Sequence, residues 1–196
     1  MKKFLSLPPE KQNRIVTSAM TLFGEVGYKK AYISEIASAA GISKALIFHY
    51  FGSKKGLYAY LVYYTGKIVM TEAQHDRDTE GKDFFDRALI TIKFRLSLKK
   101  RYPAMNAFID SVFNEDDDEV ASDIERLLAI AKDMHAGISL LAGEEKLFNS
   151  GAGAQNIVNL IDKYAEGIVH SFNCDDVVDE AVKEASDCLT MLRKVL

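Results

Sequence analysis

Apolar residues recur every three or four positions along most of the chain, which is the spacing of one face of an α-helix. The first segment of this kind contains Ile15, Ala19, Leu22, Phe23 and Val26. The alternation of apolar and polar neighbours that marks a β-strand is nearly absent from the sequence. The pattern therefore predicts an all-α protein.

Glycine, proline and serine residues indicate where the predicted helices begin and end. Gly27 is placed to end the first helix in the left-handed conformation, and Gly41 to turn the chain after a short helix. Gly52 and Ser53 are placed to end one helix and cap the next. Nine helices are predicted in this way, with approximate ranges of 9–26, 33–40, 43–50, 54 to the mid-seventies, 82–100, 103–114, 118–142, 154–172 and 176–195.

The second and third predicted helices are short and are separated by a tight turn at Gly41, which is the arrangement of a helix-turn-helix. In such a unit the second helix lies in the major groove of DNA. The positions spaced to hold the unit together are Ile36, Ala37, Ala40, Ile42, Ile47 and Phe51. The positions left to face outward are Lys44, Ala45, Leu46, Phe48, His49 and Tyr50. Such side chains suit contacts with phosphates, thymine methyl groups and the sugar-phosphate backbone.

Charge is distributed unevenly along the chain. Residues 1–55 hold nine Lys or Arg and three Asp or Glu, whereas the whole chain has a net charge of −3. A basic head on an acidic remainder is typical of a protein that meets a polyanion, although a chance fluctuation of surface charge is the alternative. An ordinary buried helical hairpin would account for the aromatic residues, but not for this basic head or for the sequence GSKKG at 52–56.

The sequence contains no recognisable motif of an enzyme or a metal site. It lacks the HExxH, Walker A, GxGxxG and GxSxG patterns, and neither Cys174 nor Cys188 lies in a CxxC motif. The acidic run NEDDDE at 114–119 lacks the spaced ligands and central glycine of a calcium loop, so we interpret it as a solvated, helix-starting segment. No apolar run approaches the roughly 20 residues of a membrane helix. We expect no catalytic residue, cofactor, metal or membrane partner, and a cytoplasmic location.

The segment Ile15–Leu61, about a quarter of the chain, resembles the DNA-binding domain of the TetR family of bacterial transcriptional regulators. The features that recur in the family's order are the Ala19-Leu22-Phe23 face, Gly27-Tyr28, Ile36-Ala37, Ala40-Gly41-Ile42-Ser43-Lys44, Tyr50-Phe51 and Lys54. The resemblance implies a three-helix DNA-binding head at 1–53 and a helical body at 54–196 that binds a small effector and forms a homodimer through its last two helices. It also implies a repressor that the effector releases from a palindromic operator.

By the same resemblance, Ser43–Tyr50 form the recognition helix and Lys54 grips a phosphate. Four positions depart from the family's pattern. Ala31 and Tyr32 stand where the family commonly has Thr followed by Ser or Thr, so the usual hydroxyl cap and phosphate contact of the second helix are either missing or supplied by the Tyr32 phenol. Ala45 replaces a frequent glycine, and Phe48 replaces a tyrosine that can donate to a phosphate. The predicted DNA-binding set is Tyr32, Ser43, Lys44, Ala45, Leu46, Phe48, His49, Tyr50 and Lys54.

The remaining helices offer candidates for an effector cavity and a dimer interface. The effector candidates are Tyr64, Ile68, Phe108, Met134 and Tyr164, although a plain core position is the more common role of such residues. The apolar stripes of the last two helices suit either a core or a helix–helix interface. The interface candidates are Ile157, Leu160, Ile161, Tyr164, Ile168, Val178, Val182, Ala185, Leu189 and Leu192. A helical enzyme or a protein-binding adaptor with a basic head is the alternative function, because catalytic groups need only converge in space.

Overall fold

The structure, a computed structural model, describes residues 2–76, 79–135, 138–148, 153–173 and 175–195, with side chains except at 75, 76, 126 and 130–135. Over these ranges the chain is helical and contains no strand, so the all-α prediction is confirmed. The helices are α1 (Lys2–Leu5), α2 (Pro9–Lys30), α3 (Ile33–Ala39), α4 (Lys44–Phe51), α5 (Lys54–Asp76), α6 (Phe84–Arg101), α7 (Pro103–Phe113), α8 (Ala121–His135), α9 (Ala154–Ser171) and α10 (Val178–Val195), and a short 3₁₀ helix spans Glu144–Leu147.

Two of the predicted boundaries differ from the structure in an informative way. Helix α2 continues to Lys30 across a break at Gly27, whose φ of 76° and ψ of 172° are open only to glycine. The helix predicted for 118–142 ends at His135, and residues 139–142 are not helical. The carbonyl of Ser139 accepts a hydrogen bond from Arg87, and the amide of Leu141 donates to Glu144. These backbone groups are therefore bonded to side chains instead of to a helical turn.

The chain forms two compact units. The first comprises residues 1–70 and 102–130, and therefore contains α1–α4, α7, most of α5 and the first part of α8. In this unit α2 crosses α7 closely at Gly24, where an added Cβ would lie 2.9 Å from the carbonyl carbon of Ala107. The core beside this crossing is aromatic, and Phe23 and Phe108 both pack on the ring of Tyr58. These contacts hold the first unit together around α2.

The second unit comprises residues 71–101 and 131–196, and its core lies between α6, α9 and α10. Its fully buried side chains include Phe84, Ile92 and Ile161. The carboxyl-terminal end of α9 is capped by the ammonium of Lys99, which donates to the carbonyl oxygens of Val169 and His170 at 2.8 and 3.0 Å. The domain boundary predicted at residue 53 is a functional division that these compact units do not test.

A buried ion pair also lies in the second unit. The guanidinium of Arg87 donates to both carboxylate oxygens of Glu144 at 2.7 Å. It also donates to the carbonyls of Lys82 and Ser139, so the side chain fastens the segment before the 3₁₀ helix to α6. The sequence analysis did not identify this pair, because its members are 57 residues apart.

Four residues predicted for the dimer interface are buried in the core of their own unit, namely Ile161, Ile168, Ala185 and Leu189. Side chains with almost no exposed surface have none left to bury against a partner, so this part of the prediction is wrong. The apolar stripe of each helix is the face that packs against the core of its own unit. Leu160, in contrast, is 59% exposed. The remaining candidates are partly buried beside the core, namely Ile157, Tyr164, Val178, Val182 and Leu192.

Candidate nucleic-acid interface

The turn between α3 and α4 has the hydrogen bonds of a glycine-ended helix. The amide of Ile42 donates to the carbonyl of Ala37 at 2.9 Å, and that of Gly41 donates to Ser38 at 3.0 Å. Gly41 has a φ of 64°, which this ending requires and which side chains with a Cβ rarely adopt. The turn directs α4 away from α3, while Ile36 and Ile47 are completely buried beneath the two helices. The predicted helix-turn-helix is therefore present.

The start of α4 is capped as the sequence predicted. The hydroxyl of Ser43 accepts a hydrogen bond from the amide of Leu46 at 3.3 Å. Tyr32, at the start of α3, makes no such side-chain cap, and its ring is 66% exposed. Of the two predicted alternatives for the cap, the Tyr32 phenol does not supply it, and this residue is exposed.

The outward face of α4 consists of a lysine, small or apolar side chains and a histidine. Lys44, Ala45, Phe48 and His49 are exposed, and Leu46 is half-buried. The ammonium of Lys44 lies 5.8 Å from the centre of the Phe48 ring, so the two side chains form one continuous patch. This face matches the predicted reading surface at five of its six positions.

Tyr50 is the exception, because the prediction that it faces outward is wrong. Only 8% of the residue is exposed. Its ring packs against that of Phe4, with 6.1 Å between the centroids, and Phe4 also packs on Phe51 and Tyr60. Helix α1, whose Phe4 supplies this cover, lies before Pro8, where no helix is predicted from the sequence. The only signal for it was an apolar Phe4-Leu5 pair just before the prolines.

A tight junction joins α4 to α5 and places Lys54 next to the helix-turn-helix. Gly52 ends α4 with a φ of 79°, and the hydroxyl of Ser53 accepts a hydrogen bond from the amide of Gly56 at 2.9 Å. A Cβ on Gly56 would lie 2.1 Å from the carbonyl oxygen of Phe51, a distance that no side chain can occupy. Glycine at position 56 therefore permits α5 to begin immediately after the predicted recognition helix.

The ammonium of Lys54 is held within the first unit. It donates to the carbonyl oxygen of Lys29 at 3.2 Å and lies 4.6 Å from the centre of the Tyr28 ring. Burial lowers the pKa of this ammonium, while the carboxylates of Glu119, Asp117 and Glu115 act in the opposite direction. The last three residues belong to the acidic run, which the sequence analysis interpreted as a solvated segment.

The residues predicted for an effector cavity are divided between the two units, with Tyr64, Ile68 and Phe108 in the first and Tyr164 in the second. Phe108 is completely buried in the core of the first unit, while Tyr64 stacks on Tyr60. Ile68 and Tyr164 are half-buried, and the hydroxyl of Tyr164 lies 3.5 Å from the carbonyl oxygen of Glu184. The side chain of Met134 lies outside the described residues.

An open cleft of about 230 Å³ does occur in the second unit. It lies between the end of α9 and the start of α10 and contains none of the predicted effector residues. Its lining residues are Ile168, Ser171, Phe172, Asp176, Val177, Glu180, Ala181 and Glu184. In the described part of the chain, no helix has the length and apolar character that crossing a membrane requires.

The arrangement of α2, α3 and α4, with an exposed outward face on a buried helical pair, defines the class of helix-turn-helix DNA-binding proteins. Residues 15–61 match the family described as "Bacterial regulatory proteins, tetR family". The similarity to the TetR family therefore lies in this amino-terminal domain, which is about a quarter of the chain.

Known proteins show the same relationship. The HTH-type transcriptional regulator BetI of Yersinia pestis (strain Pestoides F) is 33% identical over 69 residues, which are 33% of this chain and 35% of BetI. The chain thus matches only about a third of the length of this curated relative, which is named a transcriptional regulator.

Solved structures extend the similarity to the rest of the fold. A TetR-family transcriptional regulator from Bordetella parapertussis 12822 has a TM-score of 0.71 and 16% identity, with 93% of this chain and 95% of that chain covered. The structure of AibR in complex with isovaleryl coenzyme A and operator DNA has a TM-score of 0.63 and 18% identity, with 92% and 97% covered. At these identities the similarity demonstrates the shared fold alone.

Proposed function

We propose that the protein is a sequence-specific DNA-binding transcriptional regulator, and that it acts as a repressor on a palindromic operator. The observation that carries the proposal is the exposed outward face of α4. Lys44, Phe48 and His49 are exposed on this helix while its other side is buried, so its outward face is free to contact a partner. The basic head favours a polyanion as that partner.

Within this proposal, the side chains near the start of α4 read the base sequence. Lys44 can donate to guanine O6 or N7, and Leu46 can contact a thymine methyl group. His49 is one turn further along and reaches a base edge or a phosphate. Tyr50 supports the helix from beneath, since its ring is buried against Phe4.

The proposal includes a homodimer, because two recognition helices must lie about 34 Å apart to enter successive major grooves. The apolar side chains that α9 and α10 leave exposed are Leu160 and Met191, each 59% exposed, together with Val195. Tyr164 and Cys188 lie one helical turn from Leu160 and Met191 and are half-buried. These positions, and not the buried ones, are the interface that we propose.

The effector part of the proposal rests on α5, a continuous helix from Lys54 to Asp76. A ligand that favours one position of this helix would change the spacing of two recognition helices. The difference in its affinity for the two states limits how far it can shift the equilibrium between them. One structural neighbour was solved with a coenzyme A thioester. The described cleft does not favour such a polyanion, because Asp176, Glu180 and Glu184 line it.

Site selection from random duplex DNA tests the reading face. We expect Lys44→Ala and Leu46→Ala each to weaken binding to the best site by about 1–3 kcal/mol and to relax the preference at one or two base pairs per half-site. The physical reason is that each replacement removes a direct contact with a base edge while α4 keeps its buried side.

Thr17→Ala provides the control, because Thr17 is exposed on α2, outside the helix-turn-helix. It should select the same sites as the unmodified protein. If the preferred sites of both α4 variants also remained unchanged, the reading face would be assigned to the wrong residues.

A further inference from the structure

The acidic run at 114–119, here called the acidic loop, connects α7 to α8 within the first unit. The interpretation of this loop as a solvated segment does not account for its contacts. It lies against the α2–α3 junction and the start of α5, which are the parts of the same unit that border the helix-turn-helix. Two carboxylates in it, those of Glu115 and Asp117, are only half-exposed.

Glu115 fixes the loop to the break in α2. One of its carboxylate oxygens accepts a hydrogen bond from the amide of Tyr28 at 2.6 Å, and the other accepts from the amide of Asp117 at 3.3 Å. Asp117 in turn accepts from the amide of Glu119 at 2.9 Å. The buried side chain of Val120 anchors the end of the loop. The loop therefore has a defined conformation, with its carboxylates beside Tyr28.

Lysines at the start of α5 share this site with the carboxylates. The ammonium of Lys54 lies over the Tyr28 ring, and Glu119, Asp117 and Glu115 act on it electrostatically. The ammonium of Lys55 lies 3.9 Å from the carboxylate of Asp123, at the start of α8. Both lysines belong to the basic head, so part of the positive charge available to DNA already faces protein carboxylates.

We propose that the acidic loop competes with DNA phosphates for Lys54 and thereby lowers the affinity of the head for all duplex DNA. This inference rests on the proposed function, because it requires Lys54 to contact phosphate. The carboxylates that act on Lys54 include that of Glu115, which is bonded to the Tyr28 amide. They would repel a phosphate that approaches this ammonium, and added salt would weaken the repulsion. The Lys29 carbonyl already takes one of the three donors of the ammonium, and the Tyr28 ring lies against it, so fewer directions are open to a phosphate.

A pair of charge-removing variants tests the proposal with matched controls. In Asp117→Asn/Glu119→Gln the loop loses two charges near Lys54 but keeps the side-chain shapes and the acceptor at position 117. Asp116→Asn/Asp118→Asn removes the same charge from two exposed positions of the same loop. Glu115 is left unchanged, because its bond to the Tyr28 amide maintains the loop.

Binding is measured by fluorescence anisotropy with a labelled duplex of random sequence, about 30 base pairs long, over a range of salt concentrations. We expect the 117/119 variant to bind about five- to tenfold more tightly than the unmodified protein near 0.1 M salt, and its salt slope to steepen by about one unit as Lys54 contacts a phosphate. The 116/118 variant should gain less than about twofold, because the loop carboxylates that act on Lys54 are those of Glu119, Asp117 and Glu115.

The same charge changes made in a Lys54→Ala background test whether the gain in affinity depends on Lys54. In that background the 117/119 changes should no longer strengthen DNA binding. Equal gains from both pairs, a gain that persists without Lys54, or no gain would each overturn the proposal. Failure of the unmodified protein to bind any duplex would instead contradict the proposed function.

Thermal unfolding checks that the variants are folded. If the double variant does not fold, Glu119→Gln alone replaces it, and this single variant should show a smaller gain in affinity.

Discussion

Replacing Arg87 by methionine should lower the free energy of unfolding by about 3–5 kcal/mol, the usual cost of removing one member of a buried ion pair. Arg87 is 5% exposed and holds both oxygens of the Glu144 carboxylate. The variant would leave this carboxylate without its partner and would also release the carbonyls of Lys82 and Ser139. Urea denaturation followed by circular dichroism measures the change.

Arg193→Met is the matched control, because the guanidinium of Arg193 also contacts two carboxylates, those of Asp83 and Asp86. That side chain is 44% exposed, so its ion pairs should contribute only about 0–1 kcal/mol. Equal losses in the two arginine variants would show that burial does not strengthen the Arg87 pair.

The same pair predicts how stability changes with pH. Hydrogen bonding from Arg87 lowers the pKa of the Glu144 carboxyl below its ordinary value. The folded protein therefore binds this proton less readily than the unfolded chain. The resulting stabilisation is fully present above the unfolded pKa of about 4.3 and is lost as the pH falls through the lower folded value. Arg87→Met should lack this component of the acid sensitivity.

Introducing charge at the exposed apolar positions of α9 and α10 should produce monomers that bind an operator at least about 100-fold more weakly. Leu160→Glu/Met191→Glu changes two side chains that are each 59% exposed, so the fold should remain intact. Buried carboxylates facing each other across a two-fold interface would oppose association. A monomer holds a single recognition helix and loses the second half-site contact. Sedimentation equilibrium and anisotropy on a selected duplex measure the two effects.

Leu141→Glu/Leu147→Glu introduces the same charges at exposed leucines of the second unit that lie outside α9 and α10. This control should leave both association and DNA binding unchanged. A 160/191 variant that remained dimeric would show that the proposed interface is wrong, as would a control that dissociates equally.

The sequence predicted the helix-turn-helix well because its determinants are local. The ending at Gly41, the cap at Ser43 and the junction at Gly52 and Ser53 each depend on residues within a few positions of one another. Such features are set by backbone conformation and hydrogen bonding, which single residues indicate.

The rest of the site depends on contacts between distant parts of the chain. Tyr50 was placed on the wrong face because Phe4, some 46 positions earlier, covers it. Glu115 reaches Tyr28 across 87 positions, and nothing in the acidic run indicates which of its carboxylates would be held. A helical stripe likewise does not reveal whether its own chain or a second copy covers it, which explains the misplaced interface residues.

Competitive titration of the operator complex tests the central claim most directly. The duplex recovered by site selection and a duplex with the same bases in scrambled order compete for the unmodified protein at physiological salt. We expect a preference of at least about 10³ for the selected duplex, with two chains bound to each duplex. Equal affinities for the two duplexes at every salt concentration would show that the protein does not read DNA sequence.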